Sequence, residues 1–134
     1  MPEILHKELS YQIQGAFYDV YKTFRNAHKE SVCHNALIEN LINRGLKVDK
    51  NKRIDIYYQG KKVGTYIPDA TVNDLIVIEI KCKPILLKSD ISQFWHYLKS
   101  SNYKVGYLVN FGKPGGVEFI RRVYDTARTS AKQC

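Results

Sequence analysis

The run Leu75–Cys82, Leu-Ile-Val-Ile-Glu-Ile-Lys-Cys, constrains this chain more than any other stretch. Its spacing is that of a buried strand. Alternation puts Leu75, Val77, Glu79 and Lys81 on one face and Ile76, Ile78, Ile80 and Cys82 on the other. An acid and a base therefore project side by side from a segment where charge is costly unless it has a task. A second acid, Asp69, follows Pro68 a short way upstream, and Asn73-Asp74 forms a turn pair between the two. Pro68 has no N–H to donate, so strand pairing is interrupted just before Asp69. If the loop holds three residues, Val72 faces Ile76 and Asp69 lies opposite Glu79. A two-residue loop sets Asp69 opposite Ile78, on the wrong face. Convergence of the two acids requires the first register, or a bulge beside Pro68.

The surrounding pattern is that of an α/β domain. Leu5, Leu9, Ile13, Phe17, Val20 and Phe24 recur at helical spacing, which predicts an amphipathic helix from about Lys7 to Arg25. A second helix is expected from near Glu30 to Arg44. Its inward residues are Cys33, Leu37, Ile38, Leu41 and Ile42, and Gly45 takes the left-handed cap. Strands are expected at about Lys52–Tyr58 and Lys62–Tyr66, with a turn at Gln59-Gly60-Lys61, and the second strand continues past Pro68 toward Val72. Pro84–Leu87 reads as a connector. Ser89 is expected to cap a helix that runs to about Ser100, with Asp90 in its first turn. Gln93 and Tyr97 share one face of that helix. Trp95 and His96 read as packing or surface residues. Tyr103–Phe111 is a strand ended by Gly112, with Asn110 as a turn residue. Val117–Val123 is an edge strand or a short helix, with the balance toward strand. The basic segment 125–134 reads as a mobile tail, which leaves residues 1–124 as one domain.

Length and composition support that reading. A chain of 134 residues fits one hydrophobic core, and 44% hydrophobic with 25% charged residues is ordinary for a soluble fold. No window approaches the ~20 apolar residues of a membrane span. The N-terminus lacks the pattern of a secretion signal, so a cytoplasmic location is expected and no membrane partner. Three widely spaced cysteines, Cys33, Cys82 and Cys134, argue against a disulfide framework or a zinc site. The formal charge of +8 favours an anionic partner, for which nucleic acid is the leading candidate. Lys52, Arg53, Lys61, Lys62, Lys83 and Lys88 are candidate phosphate contacts, although many such residues are simply solvated surface charge.

The order of these features resembles the PD-(D/E)XK nuclease superfamily, and within it the GxxExxY subgroup, over roughly Leu9 to Val123. The segment Ala27–Cys33 aligns with the G-x-x-E-x-x-Y motif and keeps only Glu30. There follow a helix ending in Gly-Leu, the segment Lys62–Tyr66, the core Pro68-Asp69 with Glu79-Ile80-Lys81, the helix motif Gln93–Leu98, and the strand Lys104–Gly112. The resemblance implies a restriction-endonuclease-like fold, a central mixed β-sheet flanked by α-helices. It also implies a metal-dependent deoxyribonuclease that uses Mg²⁺ or Mn²⁺.

On that resemblance Asp69, Glu79, the carbonyl of Ile80 and the helical acid Glu30 hold the metal. Lys81 orients or helps deprotonate the attacking water, and Gln93 orients Lys81 or that water. Tyr97, one turn beyond Gln93, falls near the same site and among the nucleic-acid contacts. Glu30 also has a plainer explanation, because an acid in a helix's first turn meets the positive end of the macrodipole, a gain of ~0.3–1 kcal/mol. Two other activities fit the same residues. One is a junction-resolving endonuclease acting on branched DNA as a homodimer, and the other is a catalytically silent nucleic-acid-binding module. A protein-interaction domain would instead show no salt-sensitive DNA affinity.

Overall fold

The computed structural model describes residues 4–27 and 29–125, so the segment from 126 onward, most of the expected tail, lies outside the described residues. In chain order the elements are α1 (Lys7–Phe24), α2 (Glu30–Asn43), β1 (Val48–Asp49), β2 (Ile54–Tyr58), β3 (Lys61–Tyr66), β4 (Ala70–Val72), β5 (Ile76–Lys81), α3 (Lys88–Ser100), β6 (Val105–Asn110) and β7 (Glu118–Val123). Five strands form a mixed sheet in the order β1-β4-β5-β6-β7, while β2 and β3 form a separate hairpin. Only β5 and β6 run parallel, joined by α3 as a crossover helix. Among the described residues no helix is long and apolar enough to cross a membrane.

The alternation of β5 divides the interior. Ile76, Ile78 and Ile80 face α1 and α2, and pack with Ile13, Phe17, Leu37, Leu41, Tyr107 and Phe111. Val77 faces the other way, into a smaller cluster with Ile54 and Tyr66 of the hairpin, Leu98 of α3 and Tyr103. Glu79 and Lys81 continue that second face toward the end of the strand. Both are only partly buried.

Several expectations are corrected here. The second hairpin strand does not continue past Pro68: β3 ends at Tyr66, and the chain leaves the two-stranded sheet through Ile67-Pro68-Asp69 to enter the main sheet at Ala70. The missing N–H of Pro68 marks that change of sheet. Ile42 is 47% exposed rather than inward, one helical step of about 100° from buried Leu41 in the last turn of α2. Gly45 does take the left-handed cap, with φ +83°. Ser89 does not cap α3. Leu87 occupies the N-cap, and the Asp90 carboxylate reaches back to accept its N–H at 2.9 Å. The short β1, which pairs with β4, has no counterpart in the sequence reading. The last element is a strand, antiparallel to β6.

Asn110 does more than turn the chain. It is fully buried, and its amide bridges the ends of two strands: Oδ1 accepts the N–H groups of Lys83 (2.9 Å) and Gly112 (3.1 Å), while Nδ2 donates to the Lys83 carbonyl at 2.8 Å. It thereby fixes the chain two residues beyond Lys81.

Candidate active site

The β4–β5 register decides whether the two acids can meet. Val72 pairs with Ile76, Thr71 with Val77 and Ala70 with Ile78, so the connection is the three-residue loop Asn73-Asp74-Leu75. Asn73 and Asp74 turn it with positive φ values of 52° and 55°, tolerable for these residue types. Continued by one pair, the register sets Asp69 opposite Glu79 on one face. Asp69 Oδ2 accepts the N–H of Ile80 at 2.7 Å. That bond closes the strand end where Pro68 has no donor to offer.

The same alternation orients the Ile80 carbonyl. The Lys81 carbonyl accepts from Phe111 N–H at 3.0 Å, on the β6 side. Main-chain groups of successive strand residues point to opposite edges, so those of Ile80 face the Asp69 side. Two carboxylates and one carbonyl thus address a common corner.

Charge there is only partly compensated. Burial raises the Glu79 carboxyl, a hydrogen bond from the Tyr66 hydroxyl opposes the rise, the neighbouring Asp69 charge adds to it, and Lys81 offsets part of it. The balance is a pKa pushed up to about 8. The Tyr66 phenol is itself raised, chiefly by burial and then by the charge of Glu79. A pair of hard carboxylate oxygens that repel one another is a donor set suited to a divalent cation. Among the described residues, however, no group of three or more His, Cys, Asp or Glu side chains is arranged to hold a metal. Such a site would be completed by main-chain oxygen, water or substrate phosphate.

Glu79 and Lys81 share a small cavity of about 60 Å³ with Gln93 and Tyr97 of α3, and with Asp90, Phe94 and Leu108. The space suits water or an ion rather than a large ligand. The expected face of α3 is therefore turned to the β5 charges. Glu30 is not gathered with Asp69 and Glu79. It is exposed in the first turn of α2, and its charge is felt at Cys82, which belongs to the opposite face of β5.

Two neighbours escaped the sequence reading as site residues. Tyr66, at the end of β3, donates to Glu79 Oε2 and stacks flat on Tyr97, with centroids 4.2 Å apart and planes 2° from parallel. Its burial and long-range partner leave no local signal, although Tyr66 stands in the Lys62–Tyr66 segment singled out above. Asp90 pairs with Lys83 at 2.7 Å, and the Lys83 bond, then the Leu87 N–H, hold its carboxyl below the usual range.

The candidate phosphate contacts divide. Lys52 pairs with Asp74 (3.3 Å), Lys62 with Asp55 (3.2 Å) and Lys83 with Asp90, whereas Arg53, Lys61 and Lys88 are exposed and form no ion pair with a carboxylate among the described residues.

A mixed sheet flanked by helices, with Asp, Glu and Lys at the interrupted end of its central hairpin, defines a restriction-endonuclease-like nuclease fold. The chain matches the PD-(D/E)XK nuclease superfamily over residues 7–123 and belongs to it. Among solved structures it is similar to the crystal structure of an alkaline exonuclease from Laribacter hongkongensis. The match has 20% identity and a TM-score of 0.47, and covers 72% of this chain and 56% of that one. The chain thus spans little more than half the length of that enzyme. No curated protein matches it significantly.

Proposed function

We propose that residues 1–124 form a deoxyribonuclease domain of the GxxExxY kind, which hydrolyses DNA phosphodiesters at Asp69, Glu79 and Lys81 with Mg²⁺ or Mn²⁺ and works in the cytoplasm. The observation that carries this reading is the three-residue β4–β5 loop, whose register sets Asp69 opposite Glu79 with Lys81 one step further along the same face. Asp69, Glu79 and the carbonyl of Ile80 would hold the cation, which supplies Lewis-acid stabilisation of the phosphate and lowers the pKa of water. Asp69 is oriented for this by the Ile80 N–H. Glu79 is oriented by Tyr66, whose ring is braced on Tyr97. Lys81 directs the attacking water and counters charge in the transition state, and Gln93 orients Lys81 across the shared cavity.

The absence of a third acid from the cluster among the described residues favours one rival, a silent module that binds DNA without cutting it. A plasmid-nicking assay with Mg²⁺, Mn²⁺ or EDTA separates the two. The nuclease reading expects metal-dependent nicking that falls by at least about 100-fold in Asp69→Ala and Lys81→Ala, the scale of a lost electrostatic or acid–base group. Salt-sensitive DNA binding of equal strength in all three proteins, with no nicking, would establish the silent module instead.

A further inference from the structure

A second cleft lies at the other end of the same sheet face. It has a volume of about 540 Å³, within the range of small-ligand sites, and its walls include Arg53 and Tyr57 of the hairpin arm, Lys52, Asp74, Tyr103 and Lys104. Asp74 and Leu75 precede β5 and Lys104 precedes β6, so the cleft opens at the strands' N-terminal ends. At ~3.3 Å per residue, Leu75 and Glu79 are about 13 Å apart along β5, roughly four stacked nucleotides.

The charges in this cleft are unequally committed. Asp74 is already engaged by Lys52 at 3.3 Å and by the Tyr103 hydroxyl at 2.5 Å, Asp55 by Lys62, and Lys104 by Asp125 at 3.2 Å. Arg53 is exposed and pairs with no carboxylate among the described residues. Beside it Tyr57 is 62% exposed.

A β-bulge sets what stands opposite that ring. The hairpin pairs Ile56 with Gly64 but Tyr57 with Lys62, so Val63 is the extra residue. The one-residue shift brings Lys62 onto the outer face with Tyr57, where it pairs with Asp55, while Ile54 and Tyr66 remain turned to the core. The result is an open aromatic face with a guanidinium four residues away, above a cleft whose acids are paired.

We propose that this cleft is a subsite for an unpaired nucleotide of a DNA strand, with the base on the Tyr57 ring and its phosphate at Arg53. Stacking requires a bare base face, which a closed duplex does not offer outside its ends, so the subsite selects single-stranded or frayed substrate. The proposal rests on the nuclease reading for its biological use, but not for the binding itself.

The test is fluorescence anisotropy with the full chain in EDTA, using a labelled twelve-nucleotide thymidine strand and a twelve-base-pair duplex. Tyr57→Ala is expected to weaken the single strand about tenfold while changing duplex affinity less than twofold. Tyr57→Phe should bind like the wild type, because the ring and not the hydroxyl is used, and Arg53→Ala should lower both the affinity and its salt dependence. An unchanged affinity in Tyr57→Ala, or equal losses on strand and duplex, would overturn the proposal. Hydrolysis of bis(4-nitrophenyl) phosphate with Mn²⁺ is followed in parallel, since that diester is too short to reach the cleft. Its rate should be the same in Tyr57→Ala and wild type. Its absence in both would sink the nuclease reading while leaving the anisotropy result to decide the subsite.

Discussion

Glu79 is a half-buried acid whose carboxyl is pushed well above the usual range. With its carboxyl at about 8 in the folded, metal-free chain against 4.5 as the ordinary value, the folded state holds more protons than the unfolded one between those limits. Stability contributed by this group is therefore full below about pH 4.5 and is lost as pH rises toward 8. In EDTA, the melting temperature of the wild type should fall between pH 6 and pH 9, and Glu79→Gln should remove much of that fall. Parallel slopes for the two proteins would show that Glu79 is not raised. Tyr66 gives a companion test. Its hydrogen bond favours the charged carboxylate, so Tyr66→Phe should push Glu79 higher still. The rising limb of the pH–rate profile for metal-dependent cleavage should move up by about one unit, the equivalent of one charge-assisted bond of roughly 1.5 kcal/mol. The stack on Tyr97 survives in that variant, so circular dichroism should be unchanged.

At the scale of elements, the end of β5 is held from β6. Asn110 clamps both main-chain groups of Lys83, and Gly112 lies so close that a Cβ there would stand 2.3 Å from Lys83 N and 2.7 Å from the carbonyl carbon of Cys82. Asn110→Ala leaves half-buried main-chain groups of Lys83 and Gly112 without that partner and should cost about 2–3 kcal/mol in urea unfolding. Gly112→Ala must displace backbone rather than a side chain, so it should lower stability and cleavage together. Both sites were visible in the sequence only as a strand end. Local pattern made α1, α2, β5 and the Asn73-Asp74 turn legible, because apolar spacing and turn residues are written within a few positions. It did not reveal that the chain changes sheets at Pro68, since the segments before and after it read alike as strand. Nor did it show that Asn110 is buried, because beside the local bond from Gly112 its partners are 27 positions away in Lys83 and 8 in Glu118.

For the molecule as a whole, the two faces of one sheet differ in character. The face toward α1 and α2 is almost wholly apolar and supplies the larger core, whereas the face toward α3 and the hairpin carries Glu79, Lys81 and their supports. Asp69, Glu79 and Lys81 were readable from strand periodicity once the loop length was fixed. Gln93 and Tyr97 were readable from helical spacing, and all that spacing left open was which wall they would face. Glu30 was read both as a metal-holding acid, on the resemblance, and as a helix-start acid, and its place is exposed in the first turn of α2. The central claim is that Asp69 and Glu79 trap a divalent cation beside Lys81. The most direct test is an anomalous diffraction map from a crystal soaked in Mn²⁺. The account predicts a peak between the two carboxylates, within coordination reach of the Ile80 carbonyl and absent in Asp69→Ala. A well-ordered corner with no peak at saturating Mn²⁺, or a peak held by other residues, would contradict it.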